Sequence, residues 1–379
     1  MDSLRKRLQE RKEKGNIRSL LLSKDEVDFF SNDYLGLARS KELSDSVNAE
    51  YRSLYGNLNG STGSRLLSGN SEYFVELEKY LSQLFKAEST LLFNSGYNAN
   101  LSILSALPQK NDTIIYDELI HASLKDGARL SFAKRFPFSH NDLTDLEVKM
   151  KRATGQIFVA IESIYSMDGD SAPVEEIVNL CDHYKAALIV DEAHSTGILG
   201  EGGNGLLCKL GIEKRVFARI HTFGKAMGVH GACICGSREL IDFLINFARP
   251  FIYTTALPLH ALISIRQSFE YLGKNISLQE TSRKNIALFK SGLKNPGGKL
   301  IESESPIQVI KIGGNERTKR AAENIKAKGF DVRPILSPTV KEGEERLRVC
   351  LHTFNTEKEI QNLSALINLL TLNQSINHD

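Results

Sequence analysis

Lys225 sits in the run HTFGKAMGVHGACI, with Gly224 before it and an apolar, cysteine-bearing stretch after it. An amine in that setting belongs neither to a helix surface nor to a basic patch. A partly desolvated lysine loses its proton readily and can form an imine with an aldehyde. Thr222, three residues earlier, offers a hydroxyl to an anion. Upstream, Asp191 ends the apolar run LIVD, and His194 follows three positions later. A carboxylate at a buried strand end is costly unless it meets a positive charge. A protonated heterocyclic nitrogen would serve, and an opposite charge a few Å away shifts such a pKa by about 1–3 units. Taken alone, Asp191 could equally form a structural salt bridge to an arginine. The letters DEAH also resemble a helicase box, but no Walker A motif accompanies them, and FGKA lacks the required Ser or Thr after its lysine.

A second group lies in FNSGYNAN, where Ser95 and Gly96 follow an apolar strand pattern and open a helix pattern. Free N–H groups and the helix dipole favour an anion there, and a small residue allows close approach. The ordinary alternative is a helix cap. The stretches from Gly56 to Gly69 and from Gly200 to Gly205 are glycine-rich, but neither follows a strand as a dinucleotide fingerprint does, and each reads as a flexible loop.

These residues need a scaffold, and the hydrophobic pattern supplies one. STLLF, DTIIYDE, QIFVAIES and AALIVDEAH are short apolar runs suited to strands buried on both faces. Before them, Phe74, Leu77, Leu81 and Leu84 recur at helical spacing, as do Val174, Ile177, Val178 and Cys181 after Pro173 between the last two. Alternating strands and helices predict an α/β domain around a mostly parallel sheet, with ligands beyond the carboxyl ends of the strands. Beyond Pro258 the pattern changes to helices and to the strands SPIQVIKIG and ERLRVCLH, ending in an amphipathic helix near residues 360–370. That predicts a smaller α/β domain with antiparallel strands. The expected divisions are an N-terminal arm at 1–45, a large domain at 46–265 and a small domain at 266–379.

The 379 residues carry 48 basic and 46 acidic side chains, a net charge of +2, which gives no electrostatic reason to expect nucleic acid or an anionic membrane. No run approaches the roughly 20 apolar residues of a membrane helix. Five cysteines without a CxxC pair argue against a disulfide framework and fit a reducing cytoplasm. Cys233 and Cys235 would share one face of a strand. The charged opening MDSLRKRLQERKEKG lacks a signal-peptide core.

Motifs along nearly the whole chain carry a resemblance: FFSNDYLGL, GSRLLSGN, FNSGYNAN, DELIHASL, HNDLTDLE, SMDGDSAPV, VDEAHSTGILG, TFGKAMGVHGA, YTTALP, SPTV and RLRV. The chain resembles the α-oxoamine synthases, pyridoxal 5′-phosphate (PLP) enzymes of fold type I, the aspartate aminotransferase-like transferase fold. The resemblance implies that Lys225 binds the cofactor aldehyde and that Asp191 pairs with the ring nitrogen. It implies that His194 and Ser166 bond the ring's phenolate oxygen and that His121 stacks on the ring. The phosphate would lie near Ser95, Gly96, Tyr97 and Thr222, with Thr254 and Thr255 arriving from a second subunit of a homodimer. Asn32 and Arg348 would hold the amino-acid carboxylate, with Arg346, two residues away on the same strand face, as the alternative. Arg18 and Thr339 would contact the acyl substrate. The chain departs from the family pattern at Phe74, where many relatives carry histidine, and at RPILSPTVKEG, which replaces a more usual proline-rich run. The implied reaction joins a small amino acid, L-alanine first, to an acyl thioester on coenzyme A or a carrier protein, pimeloyl first. Glycine with acetyl-CoA or succinyl-CoA, serine with a long acyl thioester, simple transamination, and a non-catalytic binding module stay open as alternatives.

Overall fold

The computed structural model describes residues 2–18, 20, 25–54, 59–294 and 300–375, with side chains described as far as residue 370. Gly56, which opens the first glycine-rich stretch, and residues 19 and 21–24 of the N-terminal arm lie outside the described residues. In chain order the first eight strands are β1 (Val27–Asp28), β2 (Ser89–Phe93), β3 (Thr113–Asp117), β4 (Lys134–Phe138), β5 (Ile157–Glu162), β6 (Ala187–Asp191), β7 (Ala218–Thr222) and β8 (Ala232–Gly236). They are followed by β9 (Leu300–Ile301), β10 (Ile307–Lys311), β11 (Phe330–Asp331), β12 (Arg333–Ile335) and β13 (Arg346–Cys350). The chain forms two compact units, Leu35–Tyr165 with Ser171–Gln279, and Met1–Tyr34 with Ser166–Asp170 and Glu280–Asp379.

In the larger unit, seven strands make one sheet in the order β2-β8-β7-β6-β5-β3-β4. The pairs β7–β6, β6–β5, β5–β3 and β3–β4 are parallel, while β8 runs antiparallel to both of its neighbours. The fold is thus α/β with a mostly parallel sheet. A strand covered on both faces reads as a continuous apolar run, and every residue of β5 is buried. The helix Gly96–Ala106 packs on the helix Ala122–Leu130, and its Ala99, Ile103 and Leu104 enter the same core as Ile114, Val159, Ile189 and Ile220 of the strands. Pro173 caps the helix Val174–Tyr184, whose Val174, Ile177, Val178 and Cys181 are buried at the spacing the sequence shows. Cys233 and Cys235 share a face of β8, with their sulfurs 3.9 Å apart.

Composition alone makes the segment from Gly200 to Gly205 a flexible loop, but fixed partners hold it. Gln279 Nε2 donates to the carbonyls of Gly197, Ile198 and Gly200 at 3.0, 3.2 and 3.1 Å. The carboxylate of buried Glu192 accepts from the Leu206 and Leu207 N–H groups at 2.5 and 3.3 Å and from Ser195 Oγ at 2.7 Å. Small residues are required here because a side chain at Gly205 would overlap that carboxylate.

The smaller unit is built on an antiparallel sheet in the order β12-β13-β10-β9, and β1 pairs with β11 in a short parallel ladder. Along β13, alternation sends Leu347 and Val349 into a core with Phe29, Phe289, Ile310 and Ile360. Arg346, Arg348 and Cys350 therefore occupy the other face of β13. Among the described residues, no helix is long and apolar enough to cross a membrane.

Candidate active site

Strand ends in the larger unit carry most of the candidate residues. Asp191 is the last residue of β6 and is 4% exposed. Its Oδ1 accepts from the Ala193 N–H at 2.9 Å and its Oδ2 from Asn100 Nδ2 at 2.7 Å. Among the described residues, no cation lies within ion-pair distance of it. Both donors are neutral, so the carboxylate's charge is solvated but not balanced. Lys225 lies in the turn after β7, and its Nζ is 2.7 Å from Nε2 of the buried His194.

At the exit of β2, Ser95 caps the helix Gly96–Ala106 and takes up the Asn98 N–H at 3.2 Å. The N–H groups of Gly96 and Tyr97 stand in the first turn, where no helical carbonyl can reach them. A Cβ on Gly96 would overlap the hydroxyl of Thr222, the last residue of β7, so glycine is what lets the two approach. The phenolic hydroxyl of Tyr97 donates to Asp126 Oδ2 at 2.6 Å on the protein surface. Thr254 Oγ1 accepts from Asn94 Nδ2 of the same chain at 2.9 Å, and Thr255 is exposed.

His121 follows β3 and caps the helix Ala122–Leu130, its Nδ1 accepting the Ser123 N–H at 3.2 Å. Its outer face is open to solvent. Its inner side is enclosed, and that desolvation pushes its pKa below the ordinary histidine value; Asp191 works against the shift and Lys225 with it.

The remaining candidates belong to the smaller unit. Arg348, 8% exposed, donates from Nε to the Ser166 carbonyl at 2.7 Å and from an Nη to Asn32 Oδ1 at 3.0 Å. It also reaches the Tyr34 hydroxyl at 3.3 Å and Cys350 Sγ at 2.9 Å. None of these partners is a carboxylate. Burial holds the Cys350 thiol above its usual pKa, so it supplies no negative charge either. Arg346, its neighbour on the same face, forms a buried ion pair with Asp168 and a longer one with Glu344 at 3.5 Å. Arg18 Nη2 and Thr339 Oγ1 are 3.4 Å apart at the surface.

Asn100, Ser123 and Tyr34 were not singled out by the sequence reading, although all three fall inside quoted motifs. A polar residue such as Asn100, one turn beyond Gly96 on the helix face turned to the sheet, was the available signal. Among the described residues, no cluster of His, Cys, Asp or Glu suits a metal ion.

Residues 24–367 match the family described as aminotransferase class I and II. An 8-amino-7-oxononanoate synthase of Emericella nidulans is 41% identical to this chain, covering 96% of it and 93% of the relative. The 8-amino-7-oxononanoate synthase 2 of Bacillus subtilis is 35% identical over 95% of each chain. Among solved structures, a serine palmitoyltransferase from S. paucimobilis with bound PLP–myriocin superposes with a TM-score of 0.89 at 25% identity, covering 99% of this chain and 98% of that one. An 8-amino-7-oxononanoate synthase from Francisella tularensis gives a TM-score of 0.81 at 27% identity, covering 94% and 100%. With a family match and relatives that run nearly its full length, this chain belongs to the aminotransferase class I and II family, and within it to the PLP-dependent α-oxoamine synthases of fold type I.

Proposed function

We propose that the chain condenses L-alanine with a pimeloyl thioester, releasing carbon dioxide and thiol to give 8-amino-7-oxononanoate, a step of biotin biosynthesis. One observation carries this reading: a buried carboxylate without a cation and a lysine amine follow adjacent strands of a chain 41% identical to an enzyme of that name. PLP, when bound, supplies an aldehyde that captures the amine of the amino acid and a protonated ring that accepts electrons released at its Cα.

The residues present suit that group. Asp191 lacks only a cation, and the ring nitrogen is one; the pairing favours its protonated form by about 1–3 pKa units. The N–H groups of Gly96 and Tyr97 and the hydroxyls of Ser95 and Thr222 form a cradle for the phosphate. Lys225 Nζ engages the aldehyde and afterwards moves the Cα proton. His194 and Ser166 orient the ring through its phenolate oxygen, and His121 covers one ring face.

Arg348 holds the amino-acid carboxylate with Asn32, because Arg346 is already neutralised by Asp168 while Arg348 meets only neutral acceptors. Arg18 and Thr339 serve the acyl chain, whose carrier is coenzyme A or a carrier protein. A homodimer in which Thr254 and Thr255 serve the other copy completes the reading. A cytoplasmic location accompanies it, consistent with five buried, free cysteines.

The test supplies alanine, glycine or serine separately with pimeloyl-, acetyl-, succinyl- and palmitoyl-CoA, and follows thiol release and the cofactor's visible band. Alanine with pimeloyl-CoA should be the fastest pair. Faster turnover of glycine or serine with any of the thioesters overturns the substrate assignment, since one methylene is worth only about 1–3 kcal/mol of discrimination. Keto-acid formation without thiol release would make the chain a transaminase.

A further inference from the structure

A line of hydrogen bonds, buried at Asn100 and Ser123, joins Asp191 to His121. Asn100, 3% exposed, donates from Nδ2 to Asp191 Oδ2 at 2.7 Å and to Ser123 Oγ at 3.0 Å. Both amide hydrogens are then used. The opposite orientation would set an amide oxygen against a carboxylate, so the amide edge must face Asp191. Its Oδ1 is left buried without a partner, a costly arrangement that shows the orientation is set from the Asp191 side.

Ser123 is fully buried and already accepts from Asn100, so its own hydroxyl hydrogen is free to be given. His121 Nδ1 lies 2.7 Å from that oxygen and also receives the Ser123 N–H at 3.2 Å. Two donors converge on one nitrogen, which must therefore present its lone pair. The ring proton sits on Nε2.

We propose that Asn100 and Ser123 are positioning residues that hold His121 as the neutral, Nε2-protonated tautomer and tie its ring to the Asp191 carboxylate. Nε2–H is then kept as a donor for a substrate carbonyl oxygen. The inference deepens the proposed function, and takes from it only that His121 and Asp191 serve the cofactor site. The tautomer is a property of the chain itself. Charged groups face His121 from three elements: Asp191 at the end of β6, Lys225 beyond β7, and Asp126 and Lys125 on its own helix. The two carboxylates favour a charged ring, whereas desolvation and the two lysines keep it neutral.

The experiment labels the histidine rings with nitrogen-15 and records their chemical shifts from mildly acidic to alkaline pH, without and with PLP. His121→Gln assigns the signal. Nδ1 should resonate as an unprotonated nitrogen and Nε2 as a protonated one in the cofactor-free protein. Ser123→Ala removes the hydroxyl donor but keeps the backbone one, so the His121 midpoint should rise by about half a pH unit to one unit, the equivalent of one neutral hydrogen bond. In the loaded enzyme, the acid limb of kcat/KM should move up with it. Asn100→Ala should shift the midpoint the same way by a smaller amount, and it stands in if Ser123→Ala fails to fold.

A protonated Nδ1 in the unsubstituted protein overturns the proposal, as does a variant that folds and titrates unchanged. The expected tautomer in a chain that takes up no PLP would sustain this inference and remove the proposed function instead.

Discussion

Asp117 and Asp191 end two parallel strands of one sheet, β3 and β6, and both are buried, yet they are completed in opposite ways. Asp117 accepts from His140 Nδ1 at 3.0 and 3.1 Å, and from the Leu119 and Asn141 N–H groups at 2.8 and 2.9 Å. Asp191 receives only a backbone N–H and an amide. A carboxylate with an ionisable partner in its own fold braces a turn; one given only neutral donors is ready for a cation that comes with a ligand. The smaller unit repeats the contrast with the sign reversed, in Arg346 against Arg348. Arg219, 3% exposed, shows what must be checked first. It too lacks a carboxylate, bonding the Phe85 carbonyl and Cys208 Sγ at 2.6 and 3.2 Å. Near it, burial would raise the Cys235 thiol, but the Cys233 thiol, His221 and Arg219 together draw it well below its usual pKa. That pull favours a negative charge beside Arg219, whereas burial pushes the Cys350 thiol beside Arg348 the other way.

The contrast is broken or sharpened by substitution. The largest effect is expected from Lys225→Ala, which removes the amine proposed to engage the aldehyde. Borohydride should then fix no cofactor, and condensation should fall by at least about 10²–10⁴-fold, the usual range for losing a positioned base. Next, Asp191→Asn should slow condensation by roughly 10- to 10³-fold through loss of the ring pairing, with little change in Tm. Asp117→Asn should do the reverse, lowering stability by about 1–3 kcal/mol while the folded fraction keeps its cofactor band. If Asp117→Asn abolishes PLP uptake and Asp191→Asn only destabilises, the distinction between the two carboxylates is wrong.

Much of this was legible because local pattern and the candidate site coincide at strand ends. LIVD, FNSG and HTFGK each mark a strand that stops at a polar residue, and the sheet brings those stops to one edge. Asn100 was not legible as a candidate residue, since an asparagine in NAN looks like any polar helix residue until its buried direction is known. Arg346 and Arg348 could not be ranked either, because alternation puts both on one face and only their partners separate them. The association of residues 1–34 with residues 280–379 leaves no periodic trace, as contacts between segments so far apart in sequence have no spacing to read.

Those partners make the next prediction. Arg348→Lys keeps the charge but loses the planar fork, so KM for the amino acid should rise roughly ten- to a hundredfold, with a smaller change in kcat. Arg346→Lys should leave that KM nearly unchanged and lower Tm, because its guanidinium is engaged by Asp168. Steady-state kinetics on both variants decides the assignment. A KM effect confined to Arg346→Lys would transfer the carboxylate to that residue.

The smallest effect concerns protons. Desolvation lowers the His121 pKa while Asp191 opposes the shift, and Asp117 is not among the main charges that act on it. Asp191→Asn should therefore move the His121 midpoint further down, and Asp117→Asn should leave it in place. The consequence for folding has a definite sign. A histidine whose folded pKa lies below its unfolded value of about 6.5 contributes its full stability above that pH. It loses that contribution as pH falls through 6.5 toward the folded value, where the unfolded chain binds the extra proton. The unfolding midpoint followed downward from pH 8 should thus fall with a shallower slope in His121→Gln than in the unsubstituted protein. An unchanged slope would mean that the ring titrates alike in the folded and unfolded states.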